Sequence, residues 1–152
     1  MITLIVGECG VGKTWVMKQM LKETTPLKLG LFRFHESNDI IVVGKYDGST
    51  FEGSDKLSMA VMKDLDLMLK YIKVRKKHAI FEGDRFMNQN FISKAKPYII
   101  KINGDGKEGR KKRGSNQTER QLKTIKTRVK NITPTQTVNN SNECLELLKN
   151  RI

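Results

Sequence analysis

The chain is poor in the residues that staple, chelate or span. Only two of its 152 residues are cysteine and two are histidine. Cys9 and Cys144 have neither a disulfide framework nor zinc-ligand spacing, so free thiols in a reducing cytoplasm are expected. His35 and His78 stand alone, with no partner at metal-site or triad spacing, which leaves strand or boundary positions for both. No nucleophile elbow is present, and there are no internal repeats. Apolar residues fall in short separated runs and the mean hydropathy is -0.49. A bilayer crossing needs about 20 consecutive apolar residues, so no membrane association is expected. The amino-terminal residues lack a basic segment and a small-residue cleavage site, and read as mature structure rather than a secretory leader.

Acid is scarce relative to base. The chain has 29 Lys and Arg against 16 Asp and Glu, a net charge of +13. So large an excess favours a polyanionic partner, nucleotide or nucleic acid. It is also concentrated: residues 107 to 130 hold ten basic and two acidic side chains. The length fits one domain, residues 1–152, with a core of its own.

The apolar pattern alternates between short β-branched runs and helical stripes. Residues 1–6 predict a strand ending at Gly7, and Trp15, Val16, Met20 and Leu21 predict a helix after Lys13. Leu29 to Phe34 and Ile40 to Val43 read as two further strands. A polar loop over 47–55 then feeds a helix whose stripe is Leu57, Val61, Leu65, Met68 and Ile72. A basic run from Lys70 to Lys77 precedes a buried-type strand, His78 to Phe81. A helix from Phe86 to Ala95 and a strand from Tyr98 to Ile102 follow. Residues 104–117, rich in Gly, Lys and Arg, predict a mobile loop. Beyond it, Ser115 or Asn116 can cap a helix with the stripe Leu122, Ile125, Val129 and Ile132. A strand from Thr135 to Val138 and a helix from Asn142 to Leu148 close the pattern. Such alternation argues for an α/β protein with a parallel sheet covered on both faces.

One motif carries chemistry. Gly7-Glu8-Cys9-Gly10-Val11-Gly12-Lys13-Thr14 matches G-x-x-x-x-G-K-[ST] between a predicted strand and a predicted helix. In such a loop, glycines let successive N–H groups turn inward around phosphates and the helix N-terminus adds partial positive charge. Lys13 reaches the β- and γ-phosphates of ATP, Thr14 ligates Mg²⁺, and Gly7, Gly10, Val11, Gly12 and Trp15 complete the expected nucleotide site. Glu82 and Asp84, at the end of a buried strand, can hold the Mg²⁺ shell or simply cap a helix. Asp47 ends a strand and opens a glycine-rich loop where an acceptor could rest, or merely forms an Asp-Gly turn. Tyr46 and Phe51 offer stacking faces for a base, or belong to a small satellite core.

The loop form G-x-x-G-x-G-K-T resembles small P-loop kinases. The resemblance implies a three-layer P-loop NTPase/kinase fold with a mainly parallel five-stranded sheet, a substrate-binding insert and a basic lid, here at about 104–130. Lys13, Asp47, Asp84 and Arg120 are then the catalytic candidates. The strings Gly44-Lys45-Tyr46-Asp47, Gly53-Ser54-Asp55-Lys56-Leu57-Ser58, Glu82-Gly83-Asp84-Arg85-Phe86 and Asn116-Gln117-Thr118-Glu119-Arg120 look like phage-encoded P-loop kinases. Among these are enzymes that phosphorylate hydroxymethylpyrimidines already in DNA. That likeness implies a host-cytoplasmic kinase with ATP and Mg²⁺ as cofactors and DNA as partner. Tyr46 would stack on the base and Asp47 would face its hydroxyl. Asp55, Arg85, Arg113, Arg120 and Arg128 would bind the substrate or its phosphates. A kinase of free nucleosides or nucleotides needs the same loop and lid but not so much positive charge. A nucleic-acid-binding NTPase is the third class compatible with the motif.

Overall fold

A computed structural model describes residues 1–49, 52–114 and 117–152. Phe51 and the two expected caps Ser115 and Asn116 lie outside them. The strands are β1 (Ile2–Val6), β2 (Thr25–Leu29), β3 (Phe32–Glu36), β4 (Ile40–Val43), β5 (His78–Glu82), β6 (Tyr98–Ile102) and β7 (Gln136–Val138). The helices are α1 (Lys13–Gln19), α2 (Leu65–Arg75), α3 (Gln89–Ala95), α4 (Lys107–Arg113), α5 (Glu119–Lys130) and α6 (Ser141–Arg151). The fold is α/β, but the sheet is not the expected five-stranded one: it has seven strands in the order β2-β3-β4-β5-β1-β6-β7. β4, β5, β1, β6 and β7 run parallel, and the hairpin β2–β3 extends this set in antiparallel sense.

The stretch from Leu29 to Phe34, expected as one strand, holds the end of β2, a turn and the start of β3. Leu29 pairs with Phe32, so Gly30 and Leu31 form a two-residue hairpin loop with Gly30 at φ 57°. Glycine reaches that left-handed conformation without a Cβ clash. β2 lies on the sheet edge, where Pro26 needs no ladder N–H. Its five side chains are exposed or only partly covered, so apolar periodicity had nothing to register.

Strand alternation sorts the core into two layers. Leu4, Val6, Ile41, Val43, Ala79 and Phe81 face a layer closed by α2, α3 and the end of α5. Ile5, Ile40, Val42, Ile80, Ile100 and Ile102 face the other, closed by Val16 and Met17 of α1 and Cys144 and Leu148 of α6. Burial raises the Cys144 thiol's pKa to about 12, so this sulfur is a packing group. Phe81 meets Phe86 and Phe91 at ring distances of 4.9 and 4.8 Å in the first layer. Among the described residues no helix is long and apolar enough to cross a membrane.

Two structural outcomes differ from the expected segments. Residues 107–113 are helical rather than a loop, and α5 is capped by Thr118, which forms a capping box with Gln121. In α5, Thr118 Oγ1 accepts from Gln121 N at 3.2 Å while Gln121 Oε1 accepts from Thr118 N at 2.9 Å. The helix expected from Leu57 begins as 3₁₀ turns over Ser54–Lys56 and Val61–Asp64 before α2 starts.

Thr3 and His78, both buried, share a 2.8 Å hydrogen bond between β1 and β5. Burial, with lesser contributions from the amino terminus and Arg151, pulls the His78 pKa down to about 4 from an ordinary 6.5. The native state therefore takes up its proton later than the unfolded chain does. The associated stability is present above about pH 6.5 and is lost as pH falls toward 4. Chemical denaturation at a series of pH values should show this decline, of order 1–2 kcal/mol after screening, and His78→Gln should flatten it. Phe81→Ala should lower stability by about 3–5 kcal/mol, read from the urea midpoint at constant slope.

Candidate functional site

β1 delivers the chain to the carboxyl edge of the sheet, where residues 7–12 turn into α1. Gly10 and Gly12 adopt φ 93° and 104°, a region that L side chains avoid. Space forbids a side chain as well. A Cβ on Gly12 would lie 2.8 Å from the Ser141 Cβ, and one on Gly10 would lie 2.8 Å from the Arg110 backbone nitrogen. Val11 N donates to Glu8 O at 3.3 Å, closing the turn. Lys13 folds back across it: its ammonium donates to Gly7 O at 2.7 Å and to Glu8 O at 3.0 Å. Two of the three ammonium donors thus hold the side chain over the loop.

β5 lies beside β1 with Glu82 opposite Ile5. That register puts the Glu82 carboxylate, 3% exposed, at the same sheet edge as the loop. Ser54 N donates to Glu82 Oε1 at 3.4 Å. Burial raises the Glu82 pKa against the opposing pull of Lys13, and burial lowers the Lys13 pKa against the opposing pull of Glu82. Each charge therefore makes the other tolerable in a poorly solvated place. Asp84, two residues on, accepts from Arg128 of α5 in a 2.5 Å ion pair.

A cavity of about 1560 Å³ opens over these groups. Gly10, Gly12, Lys13, Thr14 and Trp15 form one wall, and Glu82 and Asp84 line it at the end of β5. Ser54, Asp55 and Lys56 line it from the segment after β4, and Arg113, Arg120 and Arg128 from α4 and α5. The structure thus brings together most of the expected site residues. Gly7 and Val11 do not line the cavity; Gly7 serves it through its carbonyl.

Asp47, Tyr46 and Arg85 are not part of this lining. Asp47 is turned to its own loop: it accepts from Ser49 Oγ at 2.6 Å and Ser49 N at 3.1 Å, and Lys45 lies 3.6 Å away. The Ser49 hydrogen bonds hold its pKa down at about 2, which makes it a weak base. Tyr46 is a core residue rather than a stacking face. Its ring packs in the α1–α6 layer, 5.7 Å from the His35 ring. Gly44 and Gly53 leave room for it: a Cβ at either would meet the ring at 3.0 and 3.3 Å. Arg85 is half-buried, and its Nε finds no hydrogen-bond partner among the described residues.

Thr14, Glu82 and Asp84 offer hard oxygen donors to one cavity, the donor type that suits Mg²⁺. Among the described residues there is no group of three or more His, Cys, Asp or Glu side chains placed to hold a metal. Mg²⁺ in nucleotide sites is bound through one or two protein oxygens, with phosphates and waters supplying the rest. The donor set is compatible with that arrangement, with Thr14 and one of the two carboxylates as the protein's share.

Sequence reasoning missed how the basic segment over 107–113 is attached. α4 packs directly on the glycine loop. A Cβ on Gly106 would run into Cys9 O, and a Cβ on Gly109 into Gly10 O, inside van der Waals contact in both cases. Arg110 Nη1 donates to Cys9 O at 2.8 Å and to Asp105 O at 2.5 Å. The signal was present as the spacing Gly106-x-x-Gly109-Arg110, a small-residue helix face followed by a long donor. Gly109 has ordinary helical φ, so Gly109→Ala should favour α4 by about 1 kcal/mol locally while forcing it off the loop. The expected result is a binding loss of about ten- to a hundredfold for a triphosphate, measured by calorimetry, with the melting temperature preserved.

No protein-family model matches this chain, and a search of curated proteins finds no match either.

Proposed function

We propose that the chain is an ATP-dependent kinase, and that its acceptor is the hydroxyl of a hydroxymethylpyrimidine base in DNA. The observation that carries the kinase reading is the convergence of Lys13, Thr14, Glu82, Asp84 and three lid-flank arginines on one cavity. Phosphoryl transfer asks little covalent chemistry of a protein; it asks for positioning and for positive charge around the moving group. Lys13, held by its own loop, meets the β- and γ-phosphates. Arg113, Arg120 and Arg128 neutralise charge from α4 and α5. Mg²⁺, held by Thr14 and one of Glu82 and Asp84, would supply Lewis-acid charge stabilisation at the phosphates.

Asp47 was the expected acceptor-orienting acid. Asp55 and Glu82 replace it in this scheme, because they line the cavity and Asp47 does not. Glu82 also has a raised pKa, which suits proton acceptance better than a carboxylate held near 2.

The acceptor is argued from size and charge as well as from the resemblance of the sequence strings. Small-molecule sites occupy about 300–1,000 Å³, so a cavity of about 1560 Å³ has room for a second substrate. Only Lys112, Arg113, Arg120 and Arg128, of the ten basic residues between 107 and 130, line it. Arg110, Lys123 and Lys126 instead line a second cavity of about 600 Å³ beside Arg120. Charge outside the transfer site has no use for a free nucleotide but does for the backbone of a polymer. A base within a duplex would have to be flipped out to reach the γ-phosphate.

Incubation with labelled ATP and a panel of free nucleosides, free nucleotides, ordinary DNA and hydroxymethyl-substituted DNA tests the reading directly. Label should appear on the modified nucleoside after DNA digestion, and its yield should fall steeply as salt rises. Label on free nucleotides alone would transfer the reading to metabolite kinases, and DNA-stimulated ATP hydrolysis without labelled product would support an NTPase. Lys13→Ala should lower transfer by about a hundredfold or more with the circular dichroism spectrum unchanged.

A further inference from the structure

We infer that Trp15, with Gln19 one turn further along α1, is the platform on which the acceptor base stacks. The inference rests on the kinase reading above and names the subsite that would take the second substrate. Val16 and Met17 of α1 are buried against the sheet, whereas Trp15, Lys18 and Gln19 share the opposite face and all line the cavity. Trp15 is 41% exposed. It is the only aromatic side chain lining the cavity among the described residues. Tyr46, one expected stacking face, is packed in the core and Phe51, the other, lies outside the described residues; Trp15, expected in the nucleotide site, presents a ring to the cavity.

A tryptophan left in water beside a phosphate-type loop forgoes a large burial gain, and an aromatic plane is what a nucleobase needs for sequence-tolerant stacking. The wall around it is fixed. Lys18 donates to Glu52 at 2.8 Å, and Glu52 also accepts from Gly48 N at 2.7 Å, so the 52–56 flank is tied to α1. Gln19 supplies both a donor and an acceptor for a base edge. The face of α1 that carries Trp15 is tied through Lys18 to Glu52, whereas the arginines that would attract the donor's polyphosphate are held at Cys9 of the glycine loop and at Asp84. The ring is therefore assigned to the acceptor rather than to the donor's adenine.

The chain has a single tryptophan, so intrinsic fluorescence reports this position without labelling. Three ligands are titrated into the intact protein: a single-stranded oligonucleotide with one hydroxymethyluracil, the same oligonucleotide with that base removed, and β,γ-imido-ATP with Mg²⁺. The base-bearing strand should quench Trp15, and the abasic strand and the ATP analogue should not. Trp15→Ala should raise the KM for the oligonucleotide by about tenfold or more with the KM for ATP unchanged, and Trp15→Phe should recover most of the loss. Quenching by the ATP analogue alone, equal quenching by the abasic strand, or an unaltered oligonucleotide KM in Trp15→Ala would overturn the assignment. Turnover of the oligonucleotide without quenching defeats only this inference. Base-dependent quenching without turnover defeats the kinase reading and keeps the platform.

Discussion

The geometry of the site depends on how Lys13 is held. Its two hydrogen bonds to Gly7 and Glu8 carbonyls bend a long, entropically free side chain back over the loop that precedes it. Loop and ammonium are thereby fixed together before any ligand arrives. The fixation works only because Gly10 and Gly12 accept left-handed backbone, and because β1 and β5 run parallel with Glu82 opposite Ile5. Parallel pairing puts the ends of both strands at one edge, so a motif from the first residues and a carboxylate from residue 82 meet without any long-range loop.

The lid segment shares that constraint. Were α4 free, the arginines around residue 113 would sample many positions and each would lose rotamer freedom on meeting phosphate. Instead Gly106 and Gly109 let the helix backbone touch the loop backbone, and Arg110 donates to Cys9 O. Arg113 Nη2 lies 3.3 Å from Cys9 Sγ, so a second lid arginine is also referenced to the loop. On the far side, the Arg128 ion pair to Asp84 ties α5 to the end of β5. Ion pairs this exposed contribute little to stability; their effect here is to set where the guanidinium groups stand.

Much of this was legible in the sequence and some was not, for separable reasons. The parallel strands β1, β4, β5 and β6 are runs of β-branched and apolar residues buried on both faces, and burial is what periodicity reads. The glycine loop was legible because the turn from β1 into α1 needs left-handed backbone at Gly10 and Gly12, a demand that shows in the sequence as fixed glycine spacing. β2 was invisible because its exposed residues carry no apolar pattern, and its turn Gly30-Leu31 lacks the Asn-Gly signature. α4 was missed for a like reason: none of its residues is buried, and Gly109 in its interior lowers its intrinsic helicity. Tyr46 was misjudged because a loop sequence does not reveal which way a ring turns; Gly44 and Gly53 make the inward pocket. Trp15 reads in the sequence as part of a helical stripe and of the nucleotide site; that Trp15, Lys18 and Gln19 share one face of a short helix shows only once the buried face is known.

The balance of charge in the cavity accounts for where the basic residues stand. Its floor holds one buried carboxylate and one ammonium, each perturbed by burial and relieved by the other. A polyphosphate brought to that floor would stabilise Lys13 but place further negative charge beside Glu82, which burial already disfavours in its ionised form. One lysine cannot offset both. The compensation has to come from groups that face the phosphates without being desolvated in advance, since a buried unpaired guanidinium would cost the fold heavily. Arg113, Arg120 and Arg128 meet that requirement on exposed faces of α4 and α5. Their charge is solvated until a ligand excludes water between the flanks, and only then does it act at low dielectric. Concentrating base on the lid flank rather than the floor thus keeps the empty protein stable while reserving the strongest electrostatics for the occupied cavity.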